Sequence, residues 1–364
     1  MVKPIAKKSN ELWGALRPLV TLSDHKRPWG FLITVALAVG LPVLIGVWLD
    51  EFAYGVLGSL GGLASIYMRQ TPLAHRAKTL ACVSFGFCIC FAIALLAGYH
   101  PVLQVLVIGL VAIIATFVTR YFAIPPPGSF FFILAACIAT AMPFDLSLIP
   151  QRTGLVMMGC LGASMLMLGY SFLQLIVLGN TKGVHPGDPT EPRIVAILLE
   201  AVTIGCFIAL SYWLALAVGL ERPYWAPVSC LAVMQGATFR AIWHRNVHRI
   251  VGTVIGMGLA WLIFTLQPSL WALAIMVLLL SFSIEVLVTR NYGLAVIFIT
   301  PLTIILAEFS SATQDINSVI ILRLVDVVLG SVVGYIGGWV MFQTRFFSKL
   351  ERRLRKSRFA NRRL

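Results

Sequence analysis

Five ionisable side chains interrupt otherwise apolar stretches of this chain: Arg152, Glu200, Glu285, Arg323 and Asp326. A charge at the centre of a bilayer costs about 2.5–3.5 kcal/mol on insertion scales, so such a side chain has a partner or a task. Arg323 and Asp326 stand three apart and can pair on one helix face, a contact that a purely structural role also explains. Glu200 lies two turns into an apolar stretch, about 10 Å along a helix from Arg193. It is the first candidate for a carboxylate that takes up and releases a proton, with Asp326 the second. A structural hydrogen bond to a neighbouring helix is the competing role for Glu200.

Gln235, Thr238, Arg240, Arg245, His248 and Arg249 surround a turn between two apolar stretches. Three guanidinium groups and the positive end of the following helix attract a carboxylate. The basic bias of cytoplasmic loops explains Arg240 and Arg245 without any ligand. Arg249 is harder to dismiss, because Arg76 recurs at the matching place. His244 and His248 are four apart, but no carboxylate or Cys joins them to complete a metal site. The seven cysteines all lie inside apolar runs and read as small apolar residues. No P-loop, His-Glu-x-x-His or serine-hydrolase pattern is present, so no cofactor is implied and an enzyme is not expected.

Backbone irregularity adds a second pointer. Pro125-Pro126-Pro127-Gly128 precedes a short apolar stretch, and Thr300-Pro301 falls near the middle of another. Proline removes a backbone donor and frees a carbonyl, which is tolerated at membrane depth only against protein or a wet cavity. Thr300 would supply a hydroxyl there. A harmless proline kink is the alternative.

The elements that must position these residues are membrane-spanning helices. Charged residues make up 12% of the 364 positions, hydrophobic ones 59%, and the mean hydropathy is +0.91. A soluble domain carries about 25% charged residues. This composition excludes a soluble enzyme, a nucleic-acid-binding domain and a disordered chain, despite the net charge of +14. Hydropathy predicts spans at 29–48, 52–68, 79–98, 101–119, 129–142, 152–178, 194–218, 223–238, 250–266, 269–288, 291–308 and 322–342. Twelve spans place both termini on one side. That side then holds 25 of the 28 Lys and Arg residues, leaving Arg152, Arg222 and Arg323 opposite. The split puts the termini in the cytoplasm. The N-terminus has no cleaved-signal pattern; residues 9–22 read instead as an interfacial helix. The tail over 343–364 can rest its Arg/Lys cluster on anionic headgroups or act only as a topology anchor.

Landmarks recur at a nearly constant offset. Arg152 matches Arg323 and Gly159 matches Gly330, each 171 apart, and His75-Arg76 matches His248-Arg249 at 173. The expected fold is an all-α polytopic membrane protein of about twelve helices in two parallel six-helix repeats. Its segments are 1–28, a first repeat over 29–178, a linker over 179–193, a second repeat over 194–342 and the tail. Gly330, Gly334 and Gly338 form a small-residue stripe suited to close helix packing.

Residues 224–256, YWAPVSCLAVMQGATFRAIWHRNVHRIVGTVIG, carry Tyr224, Trp225, Ala226, Gln235, Arg240, Arg249, Gly252 and Thr253 in a pattern that resembles the fusaric acid resistance (FUSC)-like family. The stretch from Asn291 to Pro301 and that from Arg323 to Gly330 are similar to it as well. The first half resembles the family less, with Tyr54-Gly55 in place of Tyr-Trp-Ala. The resemblance implies an inner-membrane efflux protein for aromatic or related organic acids, driven by the proton gradient. Membrane-fusion or outer-membrane efflux proteins are its possible partners. An anion-selective channel of the same architecture is the alternative. The candidate substrate residues are Arg76, Tyr224, Trp225, Gln235, Arg240, Arg249, Asn291, Tyr292 and Thr300. They are expected to meet in a cavity between the halves.

Overall fold

A computed structural model describes residues 23–24, 27–179, 194–236, 238–308 and 316–343. The interfacial helix expected over 9–22, nearly all of the linker and the basic tail from 344 onward lie outside the described residues. The described elements are all helical, and eight of the helices are long and apolar enough to cross a bilayer. They are α1 (Trp29–Trp48), α3 (Leu73–Ala97), α4 (Pro101–Tyr121), α6 (Ile149–Leu178), α7 (Ile194–Ala217), α9 (Phe239–Thr265), α10 (Leu270–Val288) and α12 (Ile316–Met341). Four shorter apolar helices fall between them: α2 (Phe52–Gly62), α5 (Phe130–Thr140), α8 (Trp225–Met234) and α11 (Tyr292–Glu308). Helix α2 continues into a 3-10 segment over Leu63–Tyr67.

At 1.5 Å per residue, α5 and α8 are only about 15 Å long, half of the ~30 Å hydrocarbon core. Such a helix exposes unpaired backbone ends at membrane depth, which is tolerable only if protein surrounds it. The structure meets that condition. All ten residues of α8 are buried, as are eight of the eleven in α5.

Local sequence explains several helix starts. Pro101 opens α4, with His100 Nδ1 accepting from the Val102 amide at 3.2 Å. Thr238 Oγ1 accepts from the Ala241 amide at 3.1 Å and so caps α9. The cap corrects the expected span 250–266: the helix starts eleven residues earlier, at Phe239. Likewise α3 begins at Leu73 rather than 79, and α12 at Ile316 rather than 322. Arg76, Arg249 and Arg323 therefore sit inside helices and are buried, with 5%, 5% and 2% exposure. Between α5 and α6, the Ser147 hydroxyl and amide donate to Asp145 and hold its carboxyl below the usual range.

Several helix contacts recur six places later in the chain. Helix α2 packs on α6 as α8 packs on α12; α3 on α5 as α9 on α11; and α1 on α2 as α7 on α8. Across the two sets, α4 packs on α7 and α10 packs on α1. The small-residue stripe works as expected. A Cβ on Gly330 would collide with the Ala226 carbonyl, and one on Gly159 with the Gly58 carbonyl. Backbones this close gain dispersion contacts, which drive helix association where lipid is as apolar as the side chains.

Candidate functional site

The two sets of six helices enclose a cavity of about 1330 Å³. All four short helices line it: α2 through Leu57 and Leu60, α5 through Phe130 and Leu134, α8 through Trp225 and Val228, and α11 through Ile299 and Leu302. Helices α1 and α10 add Val35, Val39 and Ile284 to the wall.

The wall is mostly apolar and aromatic, with guanidinium groups spaced along it. At the end where α9 begins, the Arg245 guanidinium lies 5.0 Å from the Tyr292 ring centroid. Deeper, Arg249 Nη2 donates to Ser229 Oγ at 3.2 Å. Its Nε is buried and meets no acceptor among the described residues. Arg249 lies ten residues into α9, about 15 Å from the helix start. The helix-end field expected to help it fades within the first turn and does not reach that far. At the opposite end, the Arg323 guanidinium stacks 3.8 Å from the Trp225 ring centroid and donates to Thr303 Oγ1. Arg152 and Arg222 line the cavity at that end too.

Two polar devices hold the wall. Gln235 Nε2 donates to the Pro127 carbonyl at 3.1 Å, tying α8 to the loop before α5. The Tyr212 hydroxyl donates to Gln104 Oε1 at 2.9 Å and lies 3.1 Å from Thr140 Oγ1, joining α7 to α4 and α5. The carboxylate of Glu285, 6% exposed, accepts from Arg27 at 2.6 Å. Both line the cavity, and Arg27 also borders a second one of about 240 Å³.

Of the nine candidate substrate residues named from sequence, Tyr224, Trp225, Gln235, Arg249 and Tyr292 come together along the main cavity. The others do not. Arg76 lines the smaller cavity, where it donates to the Thr71 carbonyl at 2.6 Å and Ser171 Oγ at 2.9 Å. Arg240 is exposed on the first turn of α9. Asn291 Oδ1 accepts from the Leu294 amide at 3.2 Å and serves the start of α11. Thr300 is buried and donates to the Val296 carbonyl at 2.9 Å; Thr303, one turn on, is the threonine in the wall. Glu200 pairs with Arg120 at 2.7 Å on the α4–α7 contact and does not line the cavity. Asp326 is fully buried in α12 and is likewise outside the wall.

Sequence reasoning passed over Arg27, ascribed Arg245 to cytoplasmic bias and named Glu285 without assigning it a role. Arg27 and Arg245 were indistinguishable from ordinary cytoplasmic bias. The intramembrane position of Glu285 was the one signal available for it, and Arg27 lies 258 residues away.

Residues 208–337 match the family described as Fusaric acid resistance protein-like. The match lies within the second half of the chain. The three resembling stretches at 224–256, 291–301 and 323–330 all fall inside the match. The chain is also similar to "Uncharacterized membrane protein YvaC" of Bacillus subtilis (strain 168), at 23% identity over 89% of this chain and 75% of that protein. No solved structure matches. Within the matched residues lie Tyr224, Trp225, Gln235, Arg249 and Tyr292, candidate substrate residues read from sequence. The first half of the chain contributes α1, α2 and α5 to the wall facing them.

Proposed function

We propose that this membrane protein is a secondary-active exporter of aromatic or related organic acids across the bacterial inner membrane. The observation that carries the reading is the cavity itself: an apolar and aromatic space between two sets of helices, with the spare donors of buried Arg249 in its wall. An aromatic acid needs both features, a ring-sized apolar surface and a planar donor for its carboxylate. All twelve helices belong to the membrane domain as two parallel repeats with both termini cytoplasmic. The paired helix contacts and the 25-to-3 charge split support this arrangement. Membrane-fusion or outer-membrane proteins extend the path.

Coupling to protons needs a carboxylate that the substrate can sense. The place of Glu285 in the wall supports it for this role, ahead of Glu200 and Asp326. The runner-up is an anion channel of the same architecture. The pairing of Glu200 with Arg120 away from the cavity favours it, since a channel needs no coupling carboxylate.

The test is efflux of labelled 4-hydroxybenzoate from vesicles, with and without a pH gradient. A charge-assisted hydrogen bond is worth about 1.5–3 kcal/mol, so Arg249→Ala should lower apparent affinity roughly 10- to 150-fold. Arg249→Lys should recover part of it. Normal transport by Arg249→Ala at low substrate would reduce the basic residues to a topology signal. Flux indifferent to the pH gradient would select the channel.

A further inference from the structure

Positive-inside bias leaves three basic residues, Arg152, Arg222 and Arg323, on the side opposite the termini, and all three line the main cavity. A topological bias gives no reason for that coincidence. Outer loops tolerate few arginines, and chance would scatter these over three separate helix ends. Instead Arg152 comes from α6 and Arg323 from the matching position of α12, so each set of six helices sends one guanidinium to the same end of the same cavity. Arg222 joins them from the turn before α8, where its carbonyl accepts from the Trp225 amide at 3.3 Å. Glu221 is the carboxylate that lines this end.

The site is built rather than loose. Arg323 is 2% exposed and fixed between the Trp225 ring and Thr303. Arg152 Nη1 donates to the Pro143 carbonyl at 2.7 Å, which leaves its other donors for a ligand. A second observation is independent of the arginines. Trp225 lines the cavity at 1% exposure, and its buried indole N–H has no acceptor among the described residues. A buried donor without an acceptor is costly, so a ligand oxygen that accepts from it is stabilised there.

We propose that Arg152, Arg222, Arg323 and the Trp225 indole N–H form an oxyanion-binding station at the end of the cavity opposite Arg245. It takes the carboxylate of an organic anion after Arg249 has released it. This rests on reading the cavity as an anion path and adds a second stop to it. Ser229, the partner of Arg249, is one turn of α8 from Trp225, about 6 Å along the axis. The side chains that Arg249 and Arg323 contact on α8 are thus one helical turn apart.

The experiment is equilibrium binding of labelled benzoate to the purified full chain in detergent. Arg249→Gln should retain a residual benzoate site, and adding Arg222→Gln or Arg152→Gln should weaken that site about tenfold or more. Trp225→Phe keeps an aromatic ring beneath Arg323 and deletes the N–H donor together with the second indole ring. It should weaken residual binding about five- to tenfold, with an unchanged gel-filtration profile confirming the fold. Loss of all benzoate binding in Arg249→Gln alone would overturn the second station and leave the exporter reading intact. So would residual binding indifferent to Arg152, Arg222 and Trp225. Absence of benzoate binding in the unmodified protein would overturn both readings.

Discussion

Removing either member of the Arg27–Glu285 ion pair should have unequal consequences. The two side chains are 26% and 6% exposed. Breaking a buried pair costs about 3–5 kcal/mol, because the remaining charge is stranded. In Arg27→Gln the stranded group is the nearly buried carboxylate, whose one ion pair among the described residues is with Arg27. Partial hydration on the Arg27 side places the expected cost near the lower bound, about 3 kcal/mol. In Glu285→Gln the amide oxygen can still accept from Arg27, and the stranded guanidinium is a quarter exposed, so about 1 kcal/mol is expected. At about 2 °C per kcal/mol for a large chain, these correspond to falls of roughly 6 °C and 2 °C. The assay is thermal unfolding of the detergent-purified protein, followed by tryptophan fluorescence at one scan rate. Glu285→Gln also removes the negative charge beside Arg27 that repels a substrate carboxylate, so its benzoate affinity should rise several-fold. Equal thermal shifts, a larger fall for Glu285→Gln, or weakened benzoate binding in that variant would refute the reasoning.

Three further outcomes are expected. Gly159→Ala drives a Cβ into the backbone carbonyl of Gly58 and should cost about 1–3 kcal/mol. Gly162→Ala, on the same helix with nothing near its Cβ, should be neutral or stabilising by up to about 1 kcal/mol; equal unfolding temperatures would dismiss the close crossing. Tyr212→Phe leaves Gln104 Oε1 without its donor and should cost about 1 kcal/mol in the same unfolding assay; no measurable change would mean the bond is not sustained in the membrane. A cysteine placed at residue 185, in a chain whose exposed Cys82 and Cys206 are serine, should react with an impermeant maleimide only from the cytoplasmic face. Reaction only from outside would sink the twelve-segment topology.

Hydropathy and turn residues made all twelve helical segments legible, since apolar runs bounded by Pro, Gly and charged residues leave little choice of secondary structure in lipid. The same criterion misplaced three helix starts. A hydropathy reading ends a span where charges begin, whereas α3 and α9 carry Arg76 and Arg249 inside the helix and bury them against neighbours; α12 starts six residues before an expected span that already held Arg323. The short α8 was visible as an anomaly, and so were the family-like residues Tyr224, Trp225, Gln235 and Arg249. Their assembly around one cavity was not. Sequence determined which residues were unusual for a membrane; only the tertiary structure decided which of them meet. Glu200 and Glu285 look alike in sequence, each a lone carboxylate in an apolar helix, yet one sits beside Arg120 on the α4–α7 contact and the other faces the cavity beside Arg27. The physical reason is that a charge's partner lies on another helix at an arbitrary distance in sequence, and packing between helices, not the local pattern, chooses it.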